Sequence, residues 1–129
     1  MRGVFLDRDG VINRLVYHRE QGIIDSPFTV EQFEFLPDVF DGLKILNGLP
    51  LKIAIISNQP GMAKNHYDEE VFRKIDEKMR SALKKKGLRL DGVYYCVHHP
   101  EATNKKYKKI CNCRKPETGL IERASRELN

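Results

Sequence analysis

The chain has 129 residues, of which 40% are hydrophobic and 32% are charged. This length fits one domain over residues 1–129, and the composition excludes a disordered or fibrous chain. No apolar run approaches the ~18 residues of a membrane span, and the N-terminal stretch "MRGVFLDRDG" lacks the apolar core of a secretory signal. We therefore expect a cytoplasmic protein without a membrane partner.

The formal net charge of +5 is carried largely by the lysine-rich stretches "KKKGLR" and "NKKYKK". Such stretches are usually solvated surfaces, but a positive balance also attracts anionic ligands. It would suit a phosphorylated metabolite or nucleic acid. Because no aromatic-interleaved basic motif or helix-turn-helix pattern accompanies the lysines, a small phosphorylated metabolite is the expected partner rather than nucleic acid.

Runs typical of buried strands alternate with helical periods along the chain. Residues 14–36 lack clean periodicity and are expected to form an extended loop. The predicted elements are, in order, the strand "GVFLD", the helix "PDVFDGLKILNGL", the strand "LKIAIIS", the helix "DEEVFRKIDEKMRSALKKKG", the strand "DGVYYCVH" and the helix "LIERASREL".

This alternation predicts an open α/β fold, in which a parallel sheet is covered by helices on both faces. Ligands of such folds bind at the carboxyl ends of the strands. Polar residues follow each predicted strand, so we expect them to converge on one edge of the sheet. They are Asp7, Asp9, Ser57, Asn58, Cys96 and His98.

The stretch "DRDG" brings two carboxylates to the end of the first strand. At this spacing Asp7 and Asp9 can hold a hard cation such as Mg²⁺ through oxygen atoms. One carboxylate can then attack a phosphorus atom while the other handles the proton. The alternative is that Asp and Gly merely form a turn after a strand, which is a common event.

The chain also contains a C-x-H pair, Cys96 and His98, and a C-x-C pair, Cys111 and Cys113. Two close pairs of these residue types across a loop fit a closed, tetrahedral zinc site. Free or buried thiols beside a surface histidine are the alternative. Zinc would also hold Arg114 and Lys115 in place, because these two residues directly follow Cys113. The metal would thus have a mechanical role.

Three stretches, "FLDRDGVIN", "IISNQPGMA" and "CNCRKPETGL", resemble in this order the first three motifs of haloacid dehalogenase (HAD) superfamily phosphatases. The resemblance covers most of the chain and implies a Rossmann-like sheet of HAD type. It implies that Asp7 is the nucleophile that forms an aspartyl-phosphate, and that Asp9 is the general acid and base. Ser57 and Lys115 would bind the transferring phosphoryl group.

The same resemblance implies that Asn58 and Arg114 contact the substrate, and we also place Arg8 and Gln59 among the predicted substrate contacts. Mg²⁺ would be held by Asp7 and by the backbone carbonyl of Asp9. The zinc-ligand pattern, with "HHP" and "CRKP" around a long loop, looks like the branch of histidinol-phosphate and heptose bisphosphate phosphatases, and the loop length favours the heptose side.

A fourth motif, which in this superfamily follows a further strand and supplies more magnesium ligands, has no counterpart before Asn129. We therefore expect a truncation before motif four, with one or more C-terminal strands missing. The missing strand would leave the edge of the first strand exposed, which predicts a homodimer through that edge.

Three functions remain open from the sequence. The first is Mg²⁺-dependent hydrolysis of a small phosphorylated metabolite, such as heptose bisphosphate or histidinol phosphate. The second is a catalytically inactive, zinc-stabilised module or fragment that binds phosphate. The third is a phosphatase for nucleic-acid ends, which would use the same nucleophile together with the lysine-rich stretches.

Overall fold

The computed structural model of the protein describes residues 2–128. Its main sheet has three strands in the order β1-β4-β5, with β1 at Arg2–Leu6, β4 at Leu51–Asn58 and β5 at Gly92–Cys96. Both strand pairs are parallel. The carboxyl ends of all three strands therefore lie at the same edge, as predicted.

Helices connect and follow the strands of the main sheet. Helix α1 covers Val39–Asn47, α2 covers Glu69–Lys85 and α3 covers Gly119–Leu128. The second helix begins at a cap, because the Asp68 carboxylate accepts a hydrogen bond from the Val71 N–H at 2.9 Å. Acidic residues in its first turn and lysines in its last turn interact favourably with the helix dipole.

The two faces of the sheet carry separate apolar clusters, because successive side chains of β4 point to opposite faces. Ile53 and Ile55 pack in one cluster with Leu43 of α1 and with Ile75, Met79 and Leu83 of α2. Ala54 and Ile56 pack in the other cluster with residues of β5 and α3. Helices thus cover both faces of a parallel sheet, which confirms the predicted α/β fold.

The prediction of an extended loop over residues 14–36 is wrong for residues 16–25. Two short strands, β2 at Val16–His18 and β3 at Ile23–Asp25, pair antiparallel and form a hairpin. The ring of His18, the last residue of β2, stacks on Phe28 with a centroid distance of 3.5 Å. His18 Nε2 lies 2.7 Å from the Ser26 carbonyl oxygen. Three-residue strands are too short to show a period of two, so the pattern missed them.

Strand β1 lies at the edge of the main sheet, and within residues 2–128 its other edge pairs with no strand. A groove of about 340 Å³ runs beside it, lined by residues of β1, β4 and α3. Among the described helices, none combines the length and the apolar character that crossing a bilayer requires.

Candidate active site and metal centre

The turn after β1 presents two carboxylates at the carboxyl end of the sheet. The Arg8 carbonyl accepts hydrogen bonds from the N–H groups of Val11, Ile12 and Asn13, which winds the chain tightly behind the strand. Gly10 closes the turn with a φ of 88°, a conformation that a side chain disfavours. The Asp7 side chain remains 45% exposed, and this exposure makes it accessible to a ligand.

Lys115 reaches this carboxylate from the far end of the chain. Its Nζ atom lies 3.2 Å from Asp7 Oδ2 and 3.3 Å from the carbonyl oxygen of Ile56 on β4. The other oxygen, Asp7 Oδ1, accepts the Arg8 N–H at 2.8 Å. An exposed carboxylate thus lies beside the ammonium group of Lys115, a cation of the kind that can also pair with a phosphoryl group.

Asn58, the last residue of β4, holds Lys115 in place. Its Nδ2 donates to the Lys115 carbonyl at 3.1 Å, and its Oδ1 accepts the Lys115 N–H at 2.8 Å. Both polar ends of the Asn58 amide are therefore used on one peptide segment. The side chain predicted to contact substrate clamps the backbone of Lys115 in this structure.

The Asp9 carboxylate is more enclosed, with 14% of its side chain exposed. Asn13 Nδ2 donates to its Oδ1 at 3.0 Å, and Gln59 Nε2 donates to its Oδ2 at 2.6 Å. The guanidinium group of Arg8 also contacts Oδ1 at 3.2 Å. With both oxygens engaged, the orientation of this carboxylate is set by its neighbours.

Three predicted site residues are buried behind the carboxylates. Arg8 is 1% exposed, Ser57 is 1% exposed and Gln59 is 0% exposed. The Ser57 hydroxyl accepts a hydrogen bond from Gln59 Nε2 at 2.9 Å. The side chains of Arg8 and Gln59 are enclosed in this structure, and the substrate contacts predicted for them from sequence stay predictions.

Arg114 directly precedes Lys115 in the chain. Its Nε atom is buried and has no hydrogen-bond partner among residues 2–128. An unsatisfied buried donor of a charged group is costly. The substrate contact predicted for Arg114 stays a prediction.

The predicted zinc ligands do converge, at the end of β5. The donor atoms of Cys96, His98, Cys111 and Cys113 all lie within 4.8 Å of one another. Cys111 Sγ is 3.4 Å from Cys96 Sγ and 3.2 Å from Cys113 Sγ, and His98 Nδ1 is 3.6 Å from Cys113 Sγ. Thiolate sulfur atoms at ~2.3 Å from a tetrahedral zinc ion are about 3.8 Å apart, so the two sulfur pairs would have to separate by about 0.4–0.6 Å.

The electrostatics of these thiols also suit a metal. Burial by itself raises the pKa of Cys111, but hydrogen bonds from Cys113 and Cys96 outweigh it and lower the pKa to about 6. Burial raises the pKa of Cys96 well above its ordinary value. One thiolate is thus available near neutral pH, and zinc binding would release the remaining thiol protons. The cluster can hold zinc.

Sequence reasoning missed several residues that support the carboxylates. Asn13 holds Asp9 directly, and Tyr95 on β5 lies behind Arg8, with its hydroxyl 3.5 Å from Arg8 Nη1. Asp76 of α2 accepts the Tyr95 hydroxyl at 2.7 Å. The sequence offered one signal, the spacing of four residues between Asp9 and Asn13, which could have indicated their contact. No short sequence motif connects Tyr95 or Asp76 to the site.

Comparison with known proteins identifies the class to which this fold and site belong. The fold is similar to the crystal structure of D,D-heptose 1,7-bisphosphate phosphatase from B. bronchiseptica complexed with magnesium and phosphate, with a TM-score of 0.75 and 28% identity over 98% of this chain and 63% of that chain. The fold is also similar to that of a crystal structure from Mesorhizobium loti described as a HAD-like phosphatase, with a TM-score of 0.81 and 22% identity over 99% of this chain and 57% of that chain. The fold class is therefore HAD-like, as the three motifs indicated.

The family follows from the sequence comparison. The chain belongs to the family described as polynucleotide kinase 3 phosphatase, whose pattern matches residues 15–129. It is 40% identical over 126 residues to D-glycero-beta-D-manno-heptose-1,7-bisphosphate 7-phosphatase of Photorhabdus laumondii, and 33% identical over 126 residues to the enzyme of that name from Yersinia pestis. Each alignment covers 98% of this chain and 63% of the relative, so the chain spans less than two thirds of these relatives.

Proposed function

We propose that the chain, as one domain over residues 1–129, carries the nucleophile end of a Mg²⁺-dependent phosphatase for a small sugar phosphate. Heptose bisphosphate is the first candidate substrate, because the relatives reported above carry that substrate in their names. The observation that carries the proposal is the meeting of the Asp7 carboxylate with Lys115 Nζ at 3.2 Å. Residues 108 positions apart in sequence supply a nucleophile and a cation for phosphate at one edge.

In the proposed reaction, an Asp7 oxygen attacks the phosphorus atom while the bond from phosphorus to the sugar oxygen breaks. Asp9, which must carry a proton at this stage in place of one of the hydrogen bonds that its oxygens accept, gives that proton to the leaving oxygen, which departs as the alcohol. A water molecule then loses a proton to Asp9 and attacks the phosphorus of the aspartyl-phosphate. The bond between the Asp7 oxygen and phosphorus breaks and inorganic phosphate leaves, so Asp7 is again a carboxylate and Asp9 again carries its proton.

The other predicted residues bind and orient the phosphoryl group. Lys115 neutralises its charge, and the Asn58 clamp fixes the backbone from which Lys115 extends. The Arg114 guanidinium is the further donor that we assign to the substrate. Ser57 is enclosed in this structure; its proposed contact with the phosphoryl group requires its hydroxyl to turn toward the edge.

Magnesium fits the same edge through hard oxygen ligands. The Asp7 carboxylate is exposed, whereas the Asp9 carboxylate is engaged by donors on both oxygens, so the backbone carbonyl of Asp9 would be its contribution. The ion would neutralise phosphate charge that otherwise repels the nucleophile. The named B. bronchiseptica structure contains both magnesium and phosphate.

The substitution Asp7→Asn tests the nucleophile. Phosphate release from heptose bisphosphate should fall by roughly a thousandfold or more, because an amide cannot form the acyl phosphate. Zinc content and thermal unfolding should match those of the wild type. The exposed Asp41 of α1 provides a control in the variant Asp41→Asn, which should release phosphate at the wild-type rate.

Other outcomes of the same assay separate the alternatives. Full turnover by Asp7→Asn would contradict the proposed nucleophile. Phosphate binding without product release by a folded, zinc-loaded wild type would favour the inactive binding module. Release from a 3′-phosphorylated oligonucleotide, falling steeply with salt, would favour the nucleic-acid-end phosphatase.

Dimerisation stays a prediction of its own. It rests on the edge of β1 that pairs with no strand within residues 2–128 and on the neighbouring groove. Sedimentation velocity at increasing concentration tests it. A monomer at all concentrations would contradict the predicted homodimer without bearing on the phosphatase proposal.

A further inference from the structure

The Asp9 carboxylate is held by a charged group that lies in the protein interior. Arg8 is among the largest fully buried side chains. Its Nε donates to Asp9 Oδ1 at 3.2 Å, and its Nη2 donates to Gln59 Oε1 at 2.8 Å. A buried guanidinium is costly unless it is paired and hydrogen-bonded, and Asp9 and Gln59 meet that requirement for Arg8.

Two aromatic rings enclose this cation. The Phe33 ring centroid lies 6.0 Å from Arg8 Cζ, and the Tyr95 centroid lies 5.4 Å from it. Burial lowers the pKa of Arg8, but attraction to Asp9 and Tyr95 outweighs burial and raises the pKa above its ordinary value. The group therefore stays charged, and its planar fork keeps a defined direction.

Tyr95 extends the contact from Arg8 to helix α2. Its hydroxyl accepts from Arg8 Nη1 at 3.5 Å and donates to Asp76 Oδ1 at 2.7 Å. Asp76 in turn pairs with Arg80 at 2.7 Å on the helix surface. Burial raises the pKa of Tyr95, which keeps the phenol protonated and able to donate.

The result is a connected series of charged groups and one neutral phenol that leads from the site to the surface of α2. The contacts of Arg8 with Gln59 and of Tyr95 with Asp76 are short, at 2.8 Å and 2.7 Å, whereas Arg8 and Tyr95 are joined by a longer contact of 3.5 Å. Gln59 supports the same arrangement from a second side, since it contacts both Arg8 and Asp9. We call Arg8, Gln59, Tyr95 and Asp76 the Arg8 network.

We propose that the Arg8 network is a positioning device for the proposed acid and base, with Arg8 and Tyr95 setting the direction of the Asp9 carboxylate from behind. This inference rests on the proposed function, in which Asp9 must present a proton to the leaving oxygen. Proton transfer depends on placement within a fraction of an ångström. Arg8 and Gln59 thereby act through Asp9 rather than on the substrate.

The variant Tyr95→Phe tests the proposal with the least disturbance. It removes one hydroxyl and leaves the ring against Phe72, whose centroid is 5.1 Å away. Substituting Arg8 itself risks misfolding, because its side chain fills the interior. Tyr94→Phe is the matched control: Tyr94 is the preceding residue of β5 and packs on the opposite face of the sheet, beside α3.

Two measurements detect the effect of Tyr95→Phe on Asp9. In steady-state assays well below the unfolding temperature, Tyr95→Phe should lower kcat by about tenfold, the rate equivalent of one hydrogen bond, with KM unchanged. In protein labelled with ¹³C at aspartate carboxyl carbons, the Asp9 signal, assigned with Asp9→Asn, should shift at constant pH. Tyr94→Phe should change neither kcat nor the Asp9 signal.

A Tyr95→Phe protein whose Asp9 signal stays in place would overturn the proposal, even if its unfolding temperature falls. So would a shifted signal with wild-type kcat in an active protein. Absence of turnover by the wild type would count against the proposed function alone. The Asp9 signal would then still decide whether the Arg8 network controls this carboxylate.

Discussion

The two groups of ligating residues at the carboxyl end of the sheet are held in different ways. The Asp7 and Asp9 carboxylates are fixed by side chains that the fold itself orders, namely Lys115, Asn13 and Gln59. The second group is the thiol cluster, which is formed by Cys96, His98, Cys111 and Cys113, the predicted zinc ligands. Cys96 ends β5, and the other three lie outside the helices and strands.

This difference separates a preorganised site from one that a metal completes. The carboxylates have their directions set before any ligand binds, which is the condition for electrostatic catalysis. The thiol cluster carries neighbouring S–H groups that only a metal can draw into a fixed tetrahedron. The two sites meet at Arg114 and Lys115, directly after Cys113, so metal loss should reach the phosphate site through the chain.

The largest expected effect follows from zinc removal. Chelation, or the variant Cys111→Ser, should increase amide exchange across residues 97–113 and lower the unfolding temperature by several degrees, because metal binding is coupled to folding. Exchange in β4 should rise much less than exchange across residues 97–113. The variant Ile110→Ser alters a neighbouring residue that is 87% exposed, and should keep full zinc content and wild-type exchange.

If verified metal removal left exchange and unfolding unchanged, the thiol cluster would not be a structural zinc site. If exchange rose equally in β4 and in the irregular segment, the contrast between the two sites would fail. The assay therefore tests the contrast as well as the metal.

A smaller effect is expected from the Asn58 clamp. Asn58→Ala removes two hydrogen bonds to the Lys115 backbone, which should cost about 1–3 kcal/mol in the free energy of unfolding. Phosphate release should fall by about tenfold or more, since Lys115 loses its fixed position. Thermal unfolding and steady-state assays measure the two effects separately.

Asn47 offers a close match at the opposite end of the sheet. Its Oδ1 accepts the Arg89 N–H at 2.7 Å, and its Nδ2 donates to the Arg89 carbonyl at 3.3 Å. Asn47→Ala should therefore destabilise the fold to a similar extent while phosphate release stays at the wild-type rate. Equal losses of activity in both variants would mean that Asn58 acts only through stability.

The smallest effect concerns a carboxylate far from the site. Burial alone would raise the pKa of Asp91, but the Ile53 N–H at 2.7 Å and the Arg89 guanidinium lower it below its ordinary value of 3.8. A lowered pKa in the folded state adds stability above pH 3.8 that is lost as the pH falls through the lowered value.

Asp91→Asn should thus reduce the free energy of unfolding by about 1 kcal/mol at pH 7. The difference from the wild type should vanish in acid, and phosphate release should not change. Urea unfolding at a series of pH values measures the difference. A gap that persists at the acid end would show that Asp91 stabilises the fold by packing rather than by charge.

Much of the site could be predicted because its residues follow strands. A parallel sheet brings the carboxyl ends of its strands together, so Asp7, Ser57 and Cys96 had to meet once the strands were recognised. Zinc-ligand spacing is local as well, and the pairs around His98 and Cys113 could be read without a fold.

The buried residues could not be read in this way. Arginine is rarely fully buried, so its type predicts a surface or substrate role for Arg8. Burial depends on Phe33 and Tyr95, which come from segments with no sequence relation to "DRDG". The same holds for the Asn58 clamp, whose partner lies 57 residues away.

The sequence by itself determined the alternation of strands and helices, the residues at the strand ends and the four thiol and imidazole ligands, because each depends on periodicity or short spacing. The tertiary structure alone decided which polar side chains face a ligand and which support others from behind. That choice depends on burial and long-range hydrogen bonds, and Arg8 lies in the interior because Asp9, Gln59 and Tyr95 enclose it there.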